Sequence, residues 1–135
     1  MAIDPEELRK VRFLEPLKDR TLKRLAGEMT ERRASDGEDL VTQGTGAIAF
    51  FVVLDGEAAV SVGERHVRVL GPGDHFGEIA MILPSSPRTA TVRAIGDVRL
   101  GGMSSWNFKG FIEEHPQVTW PLLTTLAEQL SGAPA

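Results

Sequence analysis

Hydrophobic positions change their period twice along the chain. In the first third, Leu22, Leu25, Ala26 and Met29 follow the i, i+3, i+4, i+7 spacing of one helical face. Asp19 stands just before that run as a candidate cap, and Pro16 marks the turn ahead of it. Leu8, Val11 and Leu14 suggest a shorter helix upstream, and Asp36-Gly37 closes the region. From Leu40 to Gly101 the texture becomes β. Short runs, "DLVTQ", "AFFVVL", "AAVSV", "HVRVL", "TATVRAI" and "VRLGG", alternate with Gly44, Asp55-Gly56, Gly63, Gly71-Pro72-Gly73 and Gly96-Asp97. Turn signals at roughly 8–12-residue spacing indicate a sandwich, barrel or jelly roll. Val60 with Val62, and Val67 with Val69, alternate at period two, so one face of each strand is expected to be buried. The helix-like piece "EIAMIL" interrupts these strands. The last third returns to helix, with Ser105 as candidate cap of "WNFKGFIEE" and Pro116 opening a second segment. Pro121 sets the first turn of that segment or kinks it.

The expected architecture is one domain over residues 1–135, mainly β with flanking helices. It comprises N-terminal helices at 5–34, a β-roll or double-stranded jelly roll at 37–102, and C-terminal helices at 105–130. With 135 residues, 41% hydrophobic and 25% charged, the chain falls in the ordinary soluble class and can build a sizeable core. Its net charge of −4 weighs against nucleic acid as a partner. The absence of cysteine removes disulfides, thiol catalysis and cysteine zinc sites. No apolar run approaches the roughly 20 residues that span a bilayer. The polar start "MAIDPEELRKV" is not a secretory leader, so a cytoplasmic location is expected.

The distribution of charge says more than its sum. Between Asp36 and Pro87 there are two basic residues, Arg65 and Arg68, against eight acids. Arg88 follows that acidic stretch as a lone cation, which suits a pocket for one small anion better than a surface for a polyanion. It sits in "HFGEIAMILPSSPRTATVRA", His75 to Ala94, where Gly77 and Glu78 precede a short apolar run and Arg88 follows it. As a catalyst the arginine is poorly chosen, because it keeps its proton at any useful pH. As two jaws on a ligand with hydroxyls at one end and a phosphate at the other, Glu78 and Arg88 make sense. A lone Gly-Glu pair is usually a turn, and a lone arginine at a strand start is usually solvated. Phe76, Pro87 and Ala90 stand with them in an order that resembles that of a known family, and it is this resemblance that outweighs the turn and the solvated charge.

The stretch "FGEIAMILPSSPRTATVRA" resembles the phosphate-binding cassette of the cyclic nucleotide-binding domain family. That family includes regulatory subunits of cAMP-dependent protein kinase, bacterial catabolite activators and cyclic-nucleotide-gated channels. A second signature, "GEDLVTQGTGAIAFFVVLDGEAAV" from Gly37 to Val60, resembles the family's first strands and glycine turns. The likeness spans roughly residues 8–130. It implies that Phe76, Gly77 and Glu78 begin the ligand site, with Glu78 accepting from a ribose 2′-hydroxyl. A glycine at 77 lets the backbone approach the sugar. Ile79 and Ala80 open a short helix whose N–H groups favour an anion. Arg88 offers its planar fork to phosphate oxygens. Thr89 adds a hydroxyl donor, Ala90 leaves room, and Leu70 and Val92 are expected as apolar walls for the base.

Some positions depart from the family pattern. The loop between Glu78 and Arg88 is one residue longer than in the kinase subunits, and Thr45 and Ala49 stand where acidic or polar residues are common. In many members a residue late in the C-terminal helix caps the base. Leu126, Leu130 and Trp120 are the candidates for that role.

Other functions fit less well. A cupin-type metalloenzyme gathers histidines on one metal, whereas His66, His75 and His115 form no H-x-H pair. A helix-turn-helix regulator needs several dozen residues after the sensor, and 19 follow Pro116, so such a chain would be the excised sensor half of a larger protein. A degenerate fold that binds nothing would not need both Glu78 and Arg88. The glycines of "GPGDHFG" are misspaced for a dinucleotide fingerprint. The expectation is a sensor module that binds cAMP in preference to cGMP, without cofactor, metal or catalysis. Binding would shift the C-terminal helices, Ser105 to Leu130, toward an effector the sequence does not name. No nucleic acid and no membrane are expected as partners, and the C-terminal helix is a candidate homodimer contact.

Overall fold

The computed structural model of the chain describes residues 3–41, 49–78 and 90–131. Helix α1 (Pro5–Leu8) is capped reciprocally: Asp4 accepts from the Glu6 N–H, and Glu7 accepts from the Asp4 N–H. A 3-10 turn follows at Arg12–Leu14, then α2 at Asp19–Glu28. Leu22, Leu25 and Ala26 are buried on one face of α2, as their spacing requires. The N-cap is Lys18 rather than Asp19, which is the first helical residue. Met29 is buried but already extended, so the helical pattern overran the helix by one residue. The expected helical region 5–34 is corrected further by β1 (Thr30–Ala34), which pairs antiparallel with β6 from Thr30 opposite Gly102 to Ala34 opposite Val98. Its sequence, "TERRA", is too polar to show the alternation by which a strand is recognised.

The remaining strands are β2 (Asp39–Val41), β3 (Ala49–Val62), β4 (Arg65–Leu70), β5 (His75–Phe76) and β6 (Thr91–Ser104). They run antiparallel in the order β1-β6-β3-β4, with β2 also on β6 and β5 on β3. "AFFVVL" and "AAVSV" are one strand of 14 residues, not two, and the two later runs likewise fuse into β6. Asp55-Gly56 and Gly96-Asp97 are therefore bulges, not chain reversals. Gly56 has φ +86°, and the β3–β6 register shifts on either side of Asp55. Extra residues at such points bend and twist paired strands without ending them.

This bending lets β3 serve two cores. Phe50, Val52 and Leu54 face the helices, packing with Leu8, Phe13, Leu22 and Leu25 and with Phe108, Phe111 and Leu122. Val53 and Ala58 face the roll interior with Leu40, Leu70, Phe76, Val92, Val98 and Leu100. A strand covered on both faces reads as a continuous apolar run. The expected burial of the alternating valines is corrected: Val62, Val67 and Val69 are exposed, with Val67 at 51%, and only Val60 packs partly against the interior. Strand β4 lies at the end of the sheet order, and its valines point away from the roll while Leu70 points in.

Ser104, not Ser105, caps α3 (Ser105–Glu114), accepting from the Asn107 N–H at 3.2 Å. After a 3-10 turn at Pro116–Val118 comes α4 (Thr119–Ser131), with Pro121 in its first turn, where its missing N–H costs no helical bond. Val118 and Leu122 are buried in the helical core, Leu126 packs on it, and the Arg12 guanidinium binds the Glu128 carboxylate. Arg99 of β6 joins α1 and β1, with Nη1 2.6 Å from Glu7 and Nη2 2.7 Å from Glu31. The Arg99 hydrogen bond holds the Glu31 carboxyl below the usual carboxylate range, with burial opposing it. Among the described residues, no helix is long and apolar enough to cross a membrane.

Candidate functional site

The site begins at a turn fastened to the sheet. Gly71 donates to Asp74 Oδ2 at 2.9 Å, the Gly73 N–H donates to the Val53 carbonyl, and the Val53 N–H donates to the Asp74 carbonyl at 2.8 Å. Strand β5 then presents two rings in opposite directions. Phe76 enters the roll interior against Phe51, with centroids 5.4 Å apart. His75 enters the helical side, edge-on to Phe13 at 5.2 Å and tilted on Phe50 at 5.4 Å. Gly77 follows with φ +98°, a conformation that a side chain would strain. The glycine is thus required by the turn itself, in addition to any approach of a ligand.

Glu78 comes next and is 4% exposed. Its Oε2 lies 3.2 Å from His75 Nδ1. A carboxylate only accepts, so Nδ1 carries the proton of this bond. Its other oxygen meets α4. With the Gln129 carboxamide turned so that its nitrogen faces Glu78, the amide donates to Oε1 at 3.3 Å and accepts from Arg68 Nη2 at 3.2 Å. The opposite orientation satisfies neither neighbour. Beside this cluster opens a cleft of about 180 Å³ lined in part by Lys10, Arg12, Arg68, Asp74, His75 and Gln129.

Of the residues expected in the site, the structure brings Phe76, Gly77 and Glu78 together at the end of β5. Leu70 and Val92 are both buried in the interior cluster that holds Phe76, and Ala90 is half-buried just before β6. Ile79, Ala80, Arg88 and Thr89 lie outside the described residues, as do Met81, Ile82 and Leu83 of "EIAMIL". The candidate caps on α4 part company: Trp120 and Leu130 are 76% and 91% exposed, while Leu126 packs on the helical core. Among the described residues, the α4 side chain that meets Glu78 is Gln129, which the sequence does not single out, nor does it single out His75 or Arg68. No local pattern could have found Gln129, since it meets Glu78 from 51 residues away in sequence. His75 had a usable signal, three residues before the acid and on the same strand end.

The other histidines lie apart, His66 on β4 and His115 at the end of α3, beside Arg24. Among the described residues, no three histidine or carboxylate side chains form a group that could hold a metal ion.

Residues 31–115, more than half of the chain, match the family model of the cyclic nucleotide-binding domain. The Pycsar effector protein XpPycTIR of Xanthomonas perforans is 34% identical over 105 residues, which cover 78% of this chain and 34% of that protein. A cGMP-dependent protein kinase of Toxoplasma gondii is 31% identical over 87 residues, 64% of this chain and 9% of the kinase. The chain therefore spans only a minor part of both relatives. Among solved structures it superposes on the regulatory domain of Toxoplasma gondii PKA with cAMP, with TM-score 0.78 and 25% identity, covering 93% of this chain and 48% of that one. It also superposes on the catabolite activator protein of Thermus thermophilus, with TM-score 0.81 and 22% identity over 89% of this chain and 58% of that one, a likeness of fold. With the glycine–acid step at the end of β5 and the two-core roll behind it, the chain belongs to the cyclic nucleotide-binding domain family.

Proposed function

We propose that this chain is a sensor for a 3′,5′-cyclic nucleotide, binding cAMP in preference to cGMP and catalysing nothing itself. The observation that carries the reading is the Gly77-Glu78 step: a positive-φ glycine links Phe76, which enters the apolar roll interior, to a buried carboxylate. In this reading Glu78 accepts from the ribose 2′-hydroxyl, Arg88 and Thr89 hold the cyclic phosphate, and Ile79 and Ala80 supply backbone N–H groups. Ala90 leaves space for the sugar, and Leu70 and Val92 give the base an apolar surface. That surface offers no partner for a guanine carbonyl, which is why adenine is favoured. A regulatory domain bound to cAMP among the structural neighbours supports the same ligand. No cofactor or metal takes part.

Ligand binding acts by shifting the packing of α3 and α4, and only a difference in contacts between two states can drive such a shift. The longer relatives favour a second element of this reading, that the module is the sensor part of a larger protein, and the likeness to the N-terminal domain of a transcriptional regulator from Streptomyces coelicolor A3(2) favours a transcription regulator as that protein. Trp120, Leu123 and Leu130 leave an exposed apolar face on α4 for the effector or for a second copy. Neither nucleic acid nor membrane is a partner of this module. Thermal unfolding tests the ligand class. A ligand at 100 times its dissociation constant adds about 2.7 kcal/mol. Saturating cAMP should then raise the melting temperature by several degrees and AMP by much less. Equal stabilisation by AMP would overturn the cyclic-nucleotide reading in favour of a general nucleotide site.

A further inference from the structure

Glu78 sits where three elements meet, and each of its oxygens already has a protein partner. His75 holds Oε2 from β5, and the amide of Gln129 holds Oε1 from the last turns of α4. Gln129 at the same time accepts from Arg68 of β4, so its carboxamide bridges the sensing carboxylate to the neighbouring strand. Each oxygen could accept a second bond, but with Glu78 4% exposed a further donor reaches the carboxylate only by displacing what covers it, these two partners included. The two are unequally anchored. His75 is buried between the rings of Phe13 and Phe50, whereas Gln129 is half-buried near the end of a helix. Gln129 is the partner that yields.

We infer that Gln129 is a latch: its amide and the 2′-hydroxyl of a cyclic nucleotide are alternative donors to Glu78, so that engaging the sugar releases the end of α4. The inference rests on the proposed nucleotide site and names the residue that couples it to the helix. The latch works against the ligand, because the bond to Glu78 must break before the hydroxyl can take its place. It acts on the sugar alone, since a nucleotide without a 2′-hydroxyl leaves the amide where it is. The salt link from Arg12 of the 3-10 turn to Glu128, the residue before Gln129, keeps α4 attached up to that point and confines the release to the last residues of the helix.

Calorimetric titration of the full chain and of Gln129→Ala with cAMP and 2′-deoxy-cAMP tests this. The variant should bind cAMP roughly 3- to 10-fold more tightly, the share of one amide–carboxylate bond at a half-exposed position. Its affinity for 2′-deoxy-cAMP should be unchanged, a selectivity that a purely structural role would not produce. Arg68→Met, which removes the other arm of the bridge, should move cAMP affinity the same way by less. Unchanged or weaker cAMP affinity in Gln129→Ala, or an equal gain for both ligands, would overturn the latch. Hydrogen exchange without nucleotide reads the contact independently of ligand. The amides of residues 127–131 should exchange faster in Gln129→Ala than in the unaltered chain, and equal rates would also overturn it. Failure of the unaltered chain to bind any cyclic nucleotide, with the exchange difference present, would instead refute the proposed function and leave the contact established.

Discussion

His75 Nδ1 and Glu78 Oε2 lie 3.2 Å apart at the end of β5, in a pair where both side chains are almost wholly buried. The histidine ring is wedged between Phe13 and Phe50, so the carboxylate that faces the proposed ligand is aimed from within the helical core. His75→Phe keeps a ring in that wedge but removes the donor. The substitution should destabilise the fold by about 1–3 kcal/mol, the usual result of leaving a buried acceptor short of a partner. In a Glu78→Gln background the same substitution should cost clearly less, because the charged acceptor is gone. Urea unfolding of the four proteins measures the coupling, and strict additivity would show that the two side chains do not depend on each other.

A second prediction concerns the bulge that lets β3 reach both cores. A Cβ on Gly56 would lie 2.3 Å from the Asp97 carbonyl oxygen, a backbone atom that cannot swing aside. Gly37 has a similar positive φ of +82° but open space around it. Gly37→Ala should cost about 1–2 kcal/mol, the strain of the left-handed backbone alone. Gly56→Ala carries that strain and the clash, so its loss of stability should be distinctly larger. Equal losses in thermal melts would mean that β3 and β6 can move apart at the bulge.

The Arg99 network gives stability a dependence on pH with a definite sign. Arg99 lowers the Glu31 carboxyl in the native state, so the unfolded chain takes up that proton first as pH falls. The contribution is complete above the ordinary carboxylate range near pH 4.3 and disappears as pH falls through the lowered native value. Arg99→Met should therefore melt a few degrees below the unaltered chain at pH 7. The gap should hold down to about pH 5 and close in more acidic solution. A gap of constant size down to pH 3 would contradict the assignment.

Much of this was legible in the sequence, and what escaped had physical causes. The face of α2 is a local pattern, buried as its spacing requires, and the residue order around Gly77 and Glu78 is a local pattern that points to the family whose model matches residues 31–115. The strand β1 was missed because its charged residues carry no hydrophobic alternation, and its pairing with β6 is a property of the sheet. Asp55-Gly56 reads as a hairpin turn from its residue types, yet a positive-φ glycine serves a bulge within a long strand equally well. The alternating valines of β4 gave the period of a strand but not which side is covered. That side depends on where β4 stands in the sheet. In the candidate site, the carboxylate was visible as part of a motif, whereas its bond to Gln129 joins segments that only folding brings together.

In the proposed site Arg88 holds the cyclic phosphate and Glu78 completes the grip on the sugar. Calorimetric titration of the unaltered chain and of Arg88→Ala with cAMP, cGMP, cCMP, cUMP and AMP tests this most directly. Of these ligands cAMP should bind most tightly and AMP far more weakly, and Arg88→Ala should lose about 2–5 kcal/mol of cAMP binding, as truncating one side of a desolvated charge pair does. A cyclic nucleotide other than cAMP binding best would overturn the base preference and leave the site standing. Near-normal cAMP affinity in Arg88→Ala, or no heat with any cyclic nucleotide in the unaltered chain, would contradict this arrangement itself.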